Sequence, residues 1–454
     1  MTTHQALFGA QHSVKGMVLK VSPNGRYLTD QTGKPFFYLG DTAWTLLKRL
    51  NRKEIDLYYH NRLAKGFNVI QMYLLRGLNV KDRYGNTPLI DGDPAKPNEK
   101  FYQTVDYAIN RANELGLVIG GVVTWGAHVF ANSYNEQIFT ETNAYLHGKF
   151  LGNRYQDNCV VWYLGGDKDP NERMDIWISM AKGLKDGSKG KHLVSFHGPG
   201  MAGIPSSSTW FHHEDWLDFN VMQTGHGWTV DNYNFVAHDY GLTPVKPVLD
   251  MEAAYENHPD MRKITNKRID AHQIRESMYW QVLAGAAGHG YGCNDIWPFY
   301  DTDTTQKWQD YAFPQGLHQN TYWRTAMDFH GATCVGLARK LFELRPWYKL
   351  VPDQSIVAEG QGEGEFHIQS AREADGSFIL VYSTMGSPFG VDMSKLSSRN
   401  NKALWFNPRD GRFTKIDGEY ANTGLARFVP PTHYDGDDWV LVLEDETKNY
   451  PTEL

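Results

Sequence analysis

Eight short runs of β-forming residues, each followed by a segment with helical periodicity, fill most of the first 345 residues and constrain the fold more than any other feature. The runs are 36–40, 68–74, 118–125, 160–164, 192–197, 219–224, 247–252 and 289–297. Their nearly unbroken Val, Ile and Leu content suits strands covered on both faces. Helix candidates lie between and after them at 54–65, 105–115, 269–287 and 322–344, the last ending before Pro346. In the second, Val105, Ala108, Ile109, Ala112 and Leu115 recur at near-helical spacing. Strand and crossover helix in strict alternation predict a parallel sheet. Eight such units predict an α/β (β/α)8 barrel of the TIM type rather than a doubly wound sheet.

The texture changes after Pro346. Strand-like runs at 365–371, 378–383, 403–407 and 439–443 are punctuated by Asp375-Gly376, Asp410-Gly411 and Asp417-Gly418. They predict a C-terminal antiparallel β-sandwich, so the chain divides into 1–345 and 346–454. Residues 17–20 and 27–29, on either side of Pro23-Asn24-Gly25, predict a hairpin that plugs the barrel base or pairs with the C-terminal sheet.

Charge removes two classes of partner. With 45 Lys plus Arg against 52 Asp plus Glu, the net charge of −7 offers no basic footprint for nucleic acid or anionic lipid. No apolar stretch approaches membrane-spanning length, and residues 1–17 lack a basic region followed by a signal-like apolar run. The chain reads as soluble, with no nucleic-acid or membrane partner, and nothing in it sets an oligomeric state. Cys159, Cys293 and Cys334 form no CxxC pair and read as core thiols. No cofactor and no metal are expected: GxxxxGK[ST] is absent, and His212-His213-Glu214-Asp215 reads as a surface loop. The 14 Trp, 25 Tyr and 22 Phe are platforms for sugar rings, so an oligo- or polysaccharide is the expected partner.

In such barrels, chemistry sits at the C-terminal ends of the strands. Strand four empties through Gly165-Gly166 into Asp167, and strand seven ends in Glu252. Two carboxylates facing each other across a barrel mouth are the minimum equipment of most glycosidases. The other strand ends supply substrate-binding candidates: Asp41 and Trp44, Gln71 and Tyr73, Trp125 and His128, His197, Gln223 and His226, and His289, Tyr291 and Trp297. His226 and His289 are expected to hydrogen-bond the nucleophile or a ring hydroxyl, with Trp44 or Trp297 as the stacking floor. Asp250 reads as a partner one layer deeper, Asp169 as a helix cap and Glu256 as a spare acid.

Several motifs carry a resemblance: Gly33-Lys34-Pro35-Phe36-Phe37-Tyr38-Leu39-Gly40-Asp41-Thr42-Ala43-Trp44, Gly66-Phe67-Asn68-Val69-Ile70-Gln71, Trp162-Tyr163-Leu164-Gly165-Gly166-Asp167 and Gly285-Ala286-Ala287-Gly288-His289-Gly290-Tyr291-Gly292. Together they resemble the apiosidase-like glycoside hydrolases, family 140. The C-terminal Trp405-Phe406-Asn407-Pro408-Arg409-Asp410-Gly411 and Asp438-Trp439-Val440-Leu441-Val442-Leu443 look like the β-sandwich that accompanies that family under a collagen-binding label. A structural cap on the barrel is its more economical role. The resemblance implies Asp167 as general acid/base and Glu252 as nucleophile of a retaining enzyme. It also implies release of apiose-linked side chains from the pectic polysaccharide rhamnogalacturonan II. Retention requires carboxyl groups about 5 to 5.5 Å apart, inversion roughly 6.5 to 9.5 Å. The rival readings are a glycosidase of the same fold with another furanoside or pyranoside specificity, a lyase or esterase, and a non-catalytic carbohydrate-binding protein. No GxSxG elbow supports the esterase.

Overall fold

The computed structural model describes residues 12–130, 137–200, 206–301, 319–433 and 436–454. Eight parallel strands appear in chain order: β1 Tyr38–Thr42, β2 Val69–Leu75, β3 Val118–Thr124, β4 Val160–Gly165, β5 Leu193–His197, β6 Asn220–Met222, β7 Val248–Asp250 and β8 Gly288–Cys293. Helices follow them: α1 Arg52–Ala64, α2 Glu99–Leu115, α3 Glu141–Arg154, α4 Met174–Ser188, α5 Asn232–Tyr240, α6 Ala271–Leu283 and α7 His330–Glu343. After β5 the crossover carries only the short helix Ser208–Phe211.

The strands form a seven-stranded sheet, in the order Tyr255–Glu256, β8, β1, β2, β3, β4, β5, and a separate β6–β7 pair. The large sheet curls. The hydroxyls of Tyr163 on β4 and Tyr38 on β1, which are not neighbouring strands, meet at 2.9 Å across its concave side. Single backbone bonds span both gaps to the β6–β7 pair, from Asp218 N to Val194 O at 3.0 Å and from Ala287 N to Val248 O at 2.9 Å.

Alternate residues of each strand go to opposite faces, and the core divides accordingly. Val69, Tyr73, Val118, Val122, Val161, Tyr163, Val221, Leu249 and Met251 fill the concave interior. Ile70, Met72, Ile119, Val123, Trp162 and Leu164 pack outward beneath the helices. Local signals start the helices where the strands need them. Asn51 and Glu54 close a capping box on α1, and Asp270 accepts from His272 N at the start of α6.

The hairpin expected at residues 17–29 is a three-stranded antiparallel sheet, Lys20–Val21, Leu28–Thr29 and Pro35–Phe36. Leu19 and Leu28 join the interior cluster, so this sheet closes the base and does not pair with the C-terminal strands. The helix expected over 322–344 is broken. Phe329 takes an extended conformation, ψ 147°, between the turn Trp323–Ala326 and α7.

The C-terminal strands are β9 Leu350–Pro352, β10 Val357–Glu359, β11 Ile368–Glu373, β12 Phe378–Ser383, β13 Phe389–Asp392, β14 Asn401–Phe406, β15 Phe413–Tyr420, β16 Leu425–Phe428 and β17 Trp439–Asp445. They form antiparallel sheets of six strands, β9-β11-β12-β17-β14-β15, and of three, β10-β13-β16. Ile356, Ile368, Val381, Phe389, Trp405 and Leu441 make their shared core. Helix α6 is buried from His272 to Leu283, with strands of both regions against it. Its Trp280 indole donates to Thr384 Oγ1 at 3.1 Å, and Tyr279 stacks on Tyr382 with ring centres 4.6 Å apart. Among the described residues no helix is long and apolar enough to cross a membrane.

Candidate active site

At the exit of β4 the backbone enters the left-handed region for three residues, with φ of 88° at Gly165, 115° at Gly166 and 54° at Asp167. A Cβ on Gly165 would meet His197 O at 2.3 Å, and one on Gly166 the Trp125 ring at 2.7 Å. Only glycine permits so close an approach of β4 to its neighbours. The turn it allows throws Asp167 over the concave interior. Asp is among the few non-glycine residues that enter the left-handed region readily, so Asp167 can continue the turn the two glycines begin.

The cavity above the strand ends has a volume of about 290 Å³ and is lined by Trp44, Arg76, Trp125, Asp167, Gln223, His226, Glu252, Tyr255, His258 and Trp297, among others. One carboxylate oxygen of Asp167, one of Glu252 and a ring nitrogen of His197 lie within 4.8 Å of one another. Glu252 is gripped from several sides. His197 Nε2 stands 2.8 Å from Oε2, and His226 Nε2 stands 3.6 Å from Oε1. The Tyr255 hydroxyl accepts from the Trp44 indole at 3.0 Å and lies near enough to Glu252 to feel its charge. His197 Nδ1 faces the Gly198 carbonyl at 3.1 Å, so both its ring nitrogens face acceptors, the arrangement of a doubly protonated imidazolium.

The two carboxyl groups are pushed in opposite directions. Asp167 keeps contact with solvent at the cavity mouth, yet protein surrounds it elsewhere. That desolvation, reinforced by the charge of Glu252, raises its pKa from the usual aspartate value against the pull of His197, Arg76 and Gln223. Burial would raise Glu252 too, but the hydrogen bonds and charges of His197 and His226 outweigh it and hold Glu252 well below the usual range. His197 responds in kind: burial disfavours its charge, and the hydrogen bond and charge of Glu252 raise its pKa nonetheless. Two acids with their pKa values driven apart are the signature of an acid paired with a nucleophile or base.

Seven of the twelve expected substrate-binding residues are not on the cavity wall. Asp41 faces outward and is buried against Arg62, 3.3 Å away, and the Tyr58 hydroxyl. Tyr291, beside it on β8, also faces outward and donates to Glu256 Oε2 at 2.7 Å, so Glu256 is no spare acid at the site. His289 meets Gln281 Oε1 of α6 at 2.9 Å, not the nucleophile, and burial lowers its pKa to about 3. Gln71 lies deeper in the interior, donating to Met251 O at 2.9 Å and accepting from Tyr38. Tyr73 packs edge-on beneath Trp125, and His128 Nε2 accepts from Gly77 N at 2.8 Å. Trp44, Trp125, Gln223, His226 and Trp297 do line the cavity, and His197 stands behind Glu252. Asp169 accepts from Asn171 N at 2.9 Å, as a cap does.

Arg76, Tyr255 and His258 line the cavity without having been expected there. Arg76 is the first residue past β2 and lies 4.6 Å over the Trp125 ring; ending that strand at Leu74 hid it. Tyr255, in the short strand after β7, and His258, just beyond it, both pack against the His226 ring, with ring centres 4.0 and 4.6 Å away.

Residues 22–349 match the family described as "Apiosidase-like, catalytic domain", and residues 351–444 match the "Putative collagen-binding domain of a collagenase". A crystal structure of a glycoside hydrolase family 5 protein from Bacteroides vulgatus ATCC 8482 is 30% identical, with a TM-score of 0.87 over 98% of this chain and 96% of that one. A second solved structure, titled a glycoside hydrolase, is also 30% identical with a TM-score of 0.87, and covers 98% of this chain and 100% of its own. No curated protein matches the chain at a significant level. A parallel α/β sheet with paired acids at its strand ends, matched along its length by solved glycosidases, defines a glycoside hydrolase. The chain belongs to the apiosidase-like family.

Proposed function

We propose that the eight parallel strands close into one (β/α)8 barrel spanning residues 1–345, with 346–454 as a β-sandwich, and that Asp167 and Glu252 hydrolyse a glycosidic bond with retention of configuration. The bridging bonds at Asp218 and Ala287 support closure. The observation that carries the mechanism is the approach of one Asp167 oxygen to within 4.8 Å of one Glu252 oxygen. So close an approach favours the roughly 5 to 5.5 Å carboxyl separation of retaining enzymes over the roughly 6.5 to 9.5 Å of inverting ones.

Asp167, kept protonated, donates its proton to the leaving oxygen as the glycosidic bond breaks. Glu252, kept ionised, attacks the anomeric carbon from the opposite face. Asp167, now a carboxylate, takes a proton from the water that hydrolyses the glycosyl–Glu252 ester. The His197 imidazolium holds the attacking carboxylate in place, with the Tyr255 hydroxyl nearby. Trp44, Trp125 and Trp297 supply ring platforms, while Gln223, His226, His258 and Arg76 offer polar contacts. Family membership favours apiose-linked side chains of rhamnogalacturonan II as the substrate.

Glu252→Gln should abolish turnover of pectic oligosaccharides and aryl glycosides with thermal stability close to wild type. Proton NMR of the first product should show the anomer of the substrate. Near-native turnover in that variant, or an inverted product, would overturn the assignment.

A further inference from the structure

Behind Glu252, on the outer face of β7, lies a polar cluster the catalytic roles do not use. Asp250, Gln281 and His289 are all fully buried, so every hydrogen bond among them replaces one that water would have made. Asp250 Oδ2 accepts from the Thr224 hydroxyl at 2.5 Å and from Gln281 Nε2 at 2.9 Å. Its Oδ1 receives two longer contacts, from Glu252 N at 3.3 Å and Thr224 N at 3.4 Å. Gln281, on α6, is held in its turn. Its amide also donates to Ser277 Oγ at 3.1 Å, and its carbonyl faces His289 Nδ1 at 2.9 Å. Because a carbonyl only accepts, His289 Nδ1 carries the proton and the amide orientation follows.

These bonds join the ends of two strands that bear opposite halves of the site. On β7, Asp250 holds the backbone of Glu252. At the end of β6 it holds Thr224, whose neighbour Gln223 lines the cavity together with Asp167. We propose that Asp250, oriented by Gln281, is the positioning residue that sets the separation between the two catalytic carboxyls. It touches neither substrate nor reacting atom; it acts through the backbone of Glu252 and through Thr224–Gln223. The inference rests on the assignment of Glu252 as nucleophile. A buried carboxyl that meets donors at both oxygens is held in one orientation, whereas an Asn in its place would turn an N–H toward one pair of those donors.

The test uses full-length Asp250→Asn and, in case that variant fails to fold, Gln281→Met, with Glu252→Gln alongside. Turnover is read on the 4-nitrophenyl glycosides and pectic oligosaccharides that the wild type cleaves. The expected result is a kcat lower by about tenfold to a hundredfold, the scale of ångström misplacements, with KM within roughly threefold of wild type. Crystal structures of the same variants give a readout independent of turnover: the gap between the nearest Asp167 and Glu252 oxygens should exceed 4.8 Å. If kcat stays within about twofold and the gap is unchanged while Glu252→Gln is inactive, the positioning role is wrong and the nucleophile assignment stands. If Glu252→Gln itself turns over normally, the nucleophile assignment falls, and this inference with it.

Discussion

At the scale of single residues, the site works by giving two carboxyls opposite surroundings. The proposed mechanism requires Glu252 ionised and Asp167 protonated. The rate should therefore persist into acid, because Glu252 is held low, and fall as pH rises through the elevated pKa of Asp167. Replacing His197 with Ala removes a donor and a positive charge from Glu252. Its pKa must rise, so the acidic limb of kcat/KM against pH should move to higher pH; an unmoved limb would show that His197 does not set it. Asp250 gives a stability signal of its own. Burial is the largest influence on it and raises its pKa to about 7, against about 3.9 for an unfolded Asp. Between those values the native state binds more protons than the unfolded one, so this residue's contribution to stability declines as pH rises from about 4 to 7. The difference in Tm between wild type and Asp250→Asn should shrink or change sign across that window, and a pH-independent difference would refute it. The sequence alone made Asp167, Glu252 and the three tryptophans legible, because strand ends in barrels are where polar groups gather. It misled at Asp41, His289 and Tyr291. Those side chains sit on the outward parity of β1 and β8, and at a strand's last residues both parities are polar, so pattern cannot choose between mouth and helix layer.

At the scale of elements, the β4 exit is the tightest piece of geometry in the site. Gly166→Ala would add a methyl against the Trp125 ring at φ 115°. We expect a stability loss of at least about 1–2 kcal/mol by urea unfolding and a kcat loss larger than that alone explains, since Asp167 moves with the turn. Unchanged kcat would mean the turn does not place Asp167. The inner strands were readable because burial on both faces demands unbroken apolar runs, as in Val160–Gly165. β15, with Lys415, Asp417 and Glu419 largely exposed at the sheet edge, offers no such run and was invisible. The break at Phe329 escaped notice for a related reason. Helical periodicity continues through it, and only tertiary contacts, such as Gly331 N donating to Glu256, fix where α7 starts.

At the scale of the whole molecule, the two regions share α6. Arg275 on its outer side makes a two-pronged ion pair with Asp438, at 2.7 and 2.8 Å, and both side chains are buried. Burial opposes charge on Asp438, and Arg275 more than offsets it. Arg275→Met should leave that carboxylate buried without its partner and cost about 3–5 kcal/mol, measured by denaturant unfolding of the full chain. A loss below about 1 kcal/mol would place the pair among those that contribute little. The same helix carries Gln281 toward Asp250 on its other side, so the sandwich buttresses the wall that stands behind Glu252.

That shared helix also bears on the order in which the protein comes into being. Thr384 lies 104 residues downstream of Trp280, and Asp438 lies 163 residues downstream of Arg275. At ribosomal rates of about 5–20 residues per second, a nascent chain that has completed α6 waits roughly ten to thirty seconds for the residues that cover it. During that interval Tyr279, Trp280 and an uncompensated Arg275 face solvent or a chaperone. Chains released before Asp438 should therefore be far more prone to aggregate than the intact enzyme, even though both proposed catalytic carboxyls have long since been made.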